Sequence, residues 1–274
     1  MNPEMQKIRL LFLASLYLGF IFFHSCHRGQ VPFTFVQMCD PQLGMGGYGH
    51  DTASLSQVVR QVNELDADFV LICGDLVHHP SDSSFNDFRD ITAGFDMPVY
   101  LVAGNHDVGN SPSDSSLRYF RENLGEDYYD FTYGGWAFVI CNTQLWKNSL
   151  GEESVEHDRW FRQVLIRYSG RSKPMVVVGH HPLFVRDPSE EEAYFNLPSE
   201  KRKEILDLFV EHGIKAYLSG HKHETLLNNY MGIQLVTGES TSRNFDDRPL
   251  GFRIWEVTRD SLRNHFVPLE IHPE

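Results

Sequence analysis

Residues 99–107 read VYLVAGNHD. An apolar run of five breaks at a glycine and ends in an amide, an imidazole and a carboxylate. The same grammar recurs on both sides: FTFVQMCDPQ at 33–42, FVLICGD at 69–75, VVVGHHP at 176–182 and AYLSGHKH at 216–223. Short apolar runs bounded by turn residues read as buried strands. Strands are therefore expected at Phe33–Cys39, Phe69–Cys73, Val99–Ala103, Trp136–Cys141, Met175–Val178 and Lys215–Leu218, with two more near 233–237 and 252–257. Leu55, Val58, Val59, Val62 and Leu65 recur at helical spacing, and further helical stretches lie at 115–123, 157–168 and 199–212. Strands alternating with helices imply a layered α/β fold. Ligands in such folds bind beyond the carboxyl ends of strands, so the polar clusters should converge at one edge.

The clusters are Asp40-Pro41-Gln42, Gly74-Asp75, Gly104-Asn105-His106-Asp107, Gly179-His180-His181-Pro182 and Gly220-His221-Lys222-His223. Glycine leads four of them, which suits backbone that must approach a ligand closely. Carboxylate, amide and imidazole together supply the oxygen and nitrogen ligands of borderline divalent metals. No cysteine stands in such a position.

In their order, these blocks resemble the calcineurin-like metallophosphoesterase superfamily, whose pattern runs D-x-H, GD, GNH(D/E), GHxP and GHxH. Four of the five match in full, and the five together span residues 40–223. The resemblance implies a four-layer α/β/β/α sandwich of metallophosphoesterase type and a two-metal site. In it, Asp75 bridges both ions, Asp40 and His223 hold the first, and Asn105, His180 and His221 hold the second. It further implies that a hydroxide shared by the ions attacks phosphorus in line. His106 is similar to the family's non-ligand histidine, which donates a proton to the leaving oxygen. Asp107 is expected to orient that imidazole through its second nitrogen.

Gln42 departs from the pattern, which has histidine there. Its carbonyl oxygen is a neutral, harder ligand, expected to hold the first metal loosely. That tilts preference toward Mn2+ or Fe2+/Fe3+, with Zn2+ as the remaining candidate. Segments DPQLG (40–44), NTQLW (142–146), HHPLF (180–184) and YFNLP (194–198) are similar to the branch named for the complete-S-transactivated protein. Its animal members are described as serine/threonine phosphatases. The arginine that such phosphatases carry soon after GD is absent, and the stretch reads GDLVHHP with His78 and His79. Metal-dependent hydrolysis of a phosphomonoester is expected, on a phosphorylated small molecule or a phosphoprotein. A phosphodiesterase or nucleotide hydrolase is the alternative. An exported metal- or phosphate-binding module without catalysis is a second one.

Other histidines compete with this assignment. His181 fills the variable position of its block and is expected behind the ligands. His78 and His79 could line the pocket or belong to a plain loop. His50, His157, His212, His265 and His272 are expected on the solvated surface. Cys39 and Cys73 read as small buried apolar residues. Glu190–Glu192 should form an exposed loop, with Tyr194, Phe195 and Asn196 beside the pocket. Arg186, Arg243 and Arg248 are weak candidates for phosphate contacts.

The whole chain has 274 residues, 41% hydrophobic and 22% charged, with 24 Lys+Arg against 37 Asp+Glu for a net charge of −13. That composition is globular, and its acidity argues against nucleic acid as a partner. Four cysteines with no C-x-x-C pair exclude a disulfide framework and a thiolate zinc site. Residues 10–23, LLFLASLYLGFIFF, are uncharged and follow Lys7 and Arg9. The run is short for a membrane span and fits residues 1–25 as a secretory signal. With His24-Ser25-Cys26 after it, the segment resembles a bacterial lipoprotein signal with Cys26 as the lipidated residue. Ordinary cleavage and an uncleaved anchor remain open. The expectation is an exported protein, a periplasmic or cell-envelope lipoprotein, touching the membrane only through this segment. Residues 31–274 are expected to form one domain.

Overall fold

The computed structural model describes residues 31–259 and 261–270. The segment 1–25, Cys26 and His272 lie outside the described residues.

Two sheets face each other. The first has the order β11 (Leu262–Pro268), β10 (Gly251–Val257), β1 (Phe33–Met38), β2 (Phe69–Ile72) and β3 (Val99–Leu101). Its centre, β1–β2–β3, is parallel, and β10 and β11 add antiparallel to one side. The second has the order β4 (Tyr129–Tyr133), β5 (Trp136–Ile140), β6 (Met175–Val178), β7 (Ala216–Ser219), β9 (Ile233–Thr237) and β8 (Leu226–Tyr230). Here β5, β6, β7 and β9 run parallel, with an antiparallel strand at each end.

Side-chain alternation builds the layers. Phe35, Phe69, Leu71, Phe138, Ile140, Val176, Val178 and Leu218 turn inward and fill the space between the sheets. The Phe35 and Phe69 rings stack at 5.1 Å, and Phe35 stacks on Trp255 at 5.7 Å. Their neighbours Val36, Val70 and Ile72 face outward onto α1 (Tyr48–Asn63), α2 (Asp82–Thr92) and α4 (Asp114–Leu124). On the other side, Val139, Met175 and Val177 meet α6 (Gly151–Ser169) and α7 (Ser199–His212). This is the expected α/β/β/α sandwich. One polar residue crosses its centre. Buried Gln37 donates to the Ser219 carbonyl at 3.1 Å and accepts from Trp255 Nε1 at 2.9 Å, so its amide is satisfied between the sheets.

Three strands and several helices exceed the sequence expectation. β4, β8 and β11 lie at sheet ends and are only partly buried, so their sequences lack a continuous apolar run. α2 buries only Ser84, Phe85 and Phe88, but a reciprocal Ser81–Ser84 capping box starts it. Two short turns of helix, α3 (Asn105–Val108) and α5 (Gln144–Lys147), are too brief for periodicity to reveal.

His157 is a correction. It is fully buried in α6, against the rings of Tyr128, Trp146 and Trp160, and neither ring nitrogen has a partner. Its place on the buried face, with Ser154 and Phe161, overrides the polar residue type. His50 and His265 are exposed as expected. Among the described residues, no helix is long and apolar enough to cross a membrane.

Candidate metal centre

The five polar clusters follow β1, β2, β3, β6 and β7, all at carboxyl ends. They meet across the gap between the sheets. The first sheet supplies Asp40, Gln42, Asp75 and Asn105, and the second supplies His180, His221 and His223. All seven are 3% exposed or less.

Backbone geometry marks the place. Among the described residues, seven non-glycine residues have positive φ, and five are Asp40 (49°), Gln42 (36°), Asp75 (50°), His221 (70°) and His223 (53°). Such conformations are costly for residues with a Cβ and persist where the surroundings impose them. The loops are laced together: Gln42 N–H donates to the Asp75 carbonyl at 2.8 Å, and Asp40 N–H to the Gly74 carbonyl at 3.2 Å. A Cβ on Gly104 would stand 2.1 Å from the Asp75 nitrogen, and one on Gly220 would stand 2.5 Å from Asp40 Oδ2. Only glycine fits where these loops pass a carboxylate so closely.

Each histidine is aimed by a backbone carbonyl. A carbonyl oxygen only accepts, so the nitrogen facing it carries the hydrogen and the other nitrogen is free for a ligand. His180 Nδ1 donates to Cys73 at 2.8 Å, which frees Nε2 beside Asn105 Oδ1 (2.9 Å) and Asp75 Oδ1 (3.3 Å). His221 Nε2 donates to Tyr194 at 3.2 Å and frees Nδ1. His223 Nδ1 donates to Arg243, leaving Nε2 at 3.6 Å from Asp40 Oδ1. The Asn105 amide nitrogen donates to Asn110 and to the Tyr194 hydroxyl, which turns Oδ1 inward.

Two triplets could therefore each hold a metal ion: Asp75, His180 and His221, and Asp40, Asp75 and His223. Within each, ligand atoms lie within 4.8 Å of one another. Asp75 belongs to both. Gln42 Oε1 is buried without a hydrogen-bond partner, an orphaned acceptor of the kind a cation satisfies. This donor set fits two divalent ions.

Electrostatics point the same way. Burial penalises the imidazolium of His180, but the adjacent Asp75 carboxylate outweighs it and raises the pKa to about 10. Burial works against the Asp75 charge, and His180 overcomes that, holding the carboxyl well below its usual range. Burial raises the Asp40 pKa, opposed by His223 and His180. Burial, then His180, lowers His221 to about 3, so that ring is neutral. Two buried carboxylates at one spot call for positive charge.

His106 lies at the rim, half-buried. Its backbone N–H donates to Asp75 Oδ1 at 2.8 Å. Its Nδ1 donates to the His78 carbonyl at 3.0 Å, leaving Nε2 for substrate. The expected role of Asp107 is corrected here. The Asp107 carboxylate accepts from the N–H groups of Leu76, Val77 and Gly104, clamping the Asp75 loop to the Asn105 loop. The His106 Nδ1 that Asp107 was expected to hold donates to the His78 carbonyl instead. Burial, reinforced by Asp75, raises the Asp107 pKa to about 8.

Tyr194 and Phe195 stand against His221, at 4.9 and 5.3 Å between rings, so the sequence placed them correctly. Glu190 is more than an exposed residue: its carboxylate accepts from the Val185, Arg186 and Asp187 N–H groups and ties down this loop. Arg248 is engaged with Asp246 and Glu239 rather than with the pocket, and Arg243 contributes its carbonyl. His181 is buried behind the ligands, 4.1 Å from the His221 ring. Cys39 and Cys73 are buried and free. Phe245, stacked on His223 at 4.5 Å, was missed; an exposed aromatic in a late loop carries no sequence signal. Asp51 was missed too. It accepts from Gly44, Gly46 and Ser242 and shapes the loop after Gln42.

Comparison with known proteins agrees with this geometry. The family described as calcineurin-like phosphoesterase matches residues 33–225. The chain belongs to that family. It is 32% identical to the serine/threonine-protein phosphatase CPPED1 of Bos taurus, across 87% of this chain and 84% of that one. The CPPED1 of Danio rerio is 31% identical, across 87% and 85%. A crystal structure of a dimetal phosphatase from Danio rerio superposes with a TM-score of 0.68 at 15% identity, covering 87% of this chain and 99% of that one. Family membership makes this chain a metal-dependent phosphoesterase, hydrolysing phosphate esters.

Proposed function

We propose that the chain is a phosphomonoesterase acting on phosphorylated protein or small-molecule substrates, from the CPPED1-like D-P-Q branch. Asp75 would serve both ions, Asp40, Gln42 and His223 would hold one with it, and Asn105, His180 and His221 would hold the other. The observation that carries this reading is the backbone strain, concentrated on five of these residues. Two divalent ions held there would supply positive charge for a phosphoryl group and lower the pKa of water. The chain's own residues do the rest. In its doubly protonated form, with Nδ1–H held by the His78 carbonyl, His106 offers Nε2–H to the leaving oxygen. Asp107 positions it indirectly through the loop clamp. Tyr194 and Phe245 flank the ligands His221 and His223 and offer aromatic faces to the leaving group. The name of the relatives, serine/threonine-protein phosphatase, supports a phosphoserine or phosphothreonine substrate. Mn2+ or Fe2+/Fe3+ suits the Gln42 oxygen better than Zn2+.

With Mn2+ added, the protein should cleave p-nitrophenyl phosphate faster than the bis-p-nitrophenyl diester. A preference for the diester would replace this reading with a phosphodiesterase. No turnover with any metal would leave a binding module.

We infer also that residues 1–25 are an export signal with lipidation at Cys26, and that 31–274 form the functional domain in the cell envelope. The uncharged run 10–23 after Lys7 and Arg9 supports this. Globomycin-sensitive processing is expected; processing that ignores the drug would rule out the lipoprotein.

A further inference from the structure

Gln42 stands where the family's first block has histidine, and His78 lies in the stretch after GD where serine/threonine phosphatases carry an arginine; the structure joins the two. Gln42 Nε2 and His78 Nδ1 lie 3.3 Å apart. An amide nitrogen only donates, so His78 Nδ1 must accept and its proton sits on Nε2. The other end of the same amide, Gln42 Oε1, is buried without a partner. While His78 keeps its proton on Nε2, only the nitrogen end of the amide can face Nδ1, and Oε1 is turned the other way.

His78 is itself firmly held. Its ring lies on the His106 ring at 4.7 Å and 23°, and the His79 ring packs 4.3 Å away. Its backbone N–H donates to the carbonyl of Leu43, the residue after Gln42, at 3.1 Å. Its carbonyl accepts from His106 Nδ1. A glutamine ligand has one more side-chain torsion to order than a histidine and a weaker donor atom. Its amide can also flip to present N–H to the ion, which would repel it. His78 in its Nε2–H tautomer puts an acceptor on the nitrogen side and disfavours that alternative.

We propose that His78 is a positioning residue for the metal centre: its Nδ1 locks the Gln42 amide so that Oε1 faces the position shared by Asp40, Asp75 and His223. Partners of this kind around a ligand typically change metal affinity about 10–100-fold. The proposal rests on the two-metal reading, which the wild-type titration tests separately.

The test is calorimetric titration of the metal-stripped full chain with Mn2+, using wild type, His78→Ala and His78→Asn. Wild type should bind two ions; any other stoichiometry strikes the two-metal reading. His78→Ala should bind one ion as wild type does and the other about tenfold or more weakly. His78→Asn sets an amide oxygen near the place of Nδ1 and should restore most of the loss. Melting of the stripped variants at the wild-type temperature shows that the fold is intact. Wild-type affinity at both positions in His78→Ala would overturn the proposal. So would equal weakening at both positions, or a His78→Asn variant no better than His78→Ala.

Discussion

His180 ties the charge balance of the pocket to pH. In the metal-free pocket its pKa is about 10, so at neutral pH the ring carries a proton on the nitrogen aimed at Asp75 and Asn105. A cation can take that nitrogen only as the proton leaves. His221, lowered to about 3, is already neutral and asks for no such exchange. Mn2+ affinity should therefore rise with pH from about 6 to 8, by up to about tenfold per unit, with about one proton released per chain. Calorimetry in buffers of different ionisation enthalpy measures both. An affinity independent of pH would contradict the assignment. His106 behaves differently, since it touches no ion in this account. His106→Ala should lower kcat on p-nitrophenyl phosphate by about 10²–10⁴-fold while both metals stay bound. Loss of metal in that variant would make His106 a ligand.

At the level of elements, parallel strands such as β2 and β6 were readable because they are buried on both faces. FVLI and MVVV have no polar residue to break the run. The ligands were readable because each follows a short apolar run and four of their blocks open on a glycine. What escaped reading was set by contacts that leave no residue-type signature. The carbonyls of Cys73, Tyr194 and Arg243 aim the three histidines, yet any residue could supply a carbonyl. Asp107 was legible as important, but its backbone partners on Leu76, Val77 and Gly104 are long-range or local loop geometry. His157 misled for the opposite reason, since a polar type occupies a core position of α6. Burial, with Lys201 adding to it, lowers its pKa to about 3. Below the ordinary histidine pKa, the unfolded chain takes up a proton that the folded one refuses until about 3, so stability falls as pH drops through that window. His157→Leu should remove that part of the acid sensitivity. It should also stabilise the fold by about 1–3 kcal/mol at neutral pH, because two unpartnered ring nitrogens disappear. Thermal melts between pH 4 and 7 check this. An unchanged pH profile would show that His157 finds a partner.

Across the whole molecule, the pocket is a seam. One sheet supplies the carboxylates and amides, and the other supplies the imidazoles. Gln37 and the aromatic stack behind it hold the sheets in register, so the ligands are brought together before any ion arrives. An ion bound at this seam ties the two sheets to each other and binds the folded chain alone. Mn2+ at a hundred times its dissociation constant should add about 2.7 kcal/mol of stability per site. Chelation should lower the melting temperature correspondingly, and a melting temperature indifferent to metal would contradict cross-sheet ligation. The central claim is that two ions share Asp75, and a crystal structure of the Mn2+-loaded protein with anomalous scattering data tests it most directly. Two peaks about 3.5–4 Å apart are predicted, one among Asp40, Gln42, Asp75 and His223, the other among Asp75, Asn105, His180 and His221. A single peak, or peaks that do not both touch Asp75, would contradict the account.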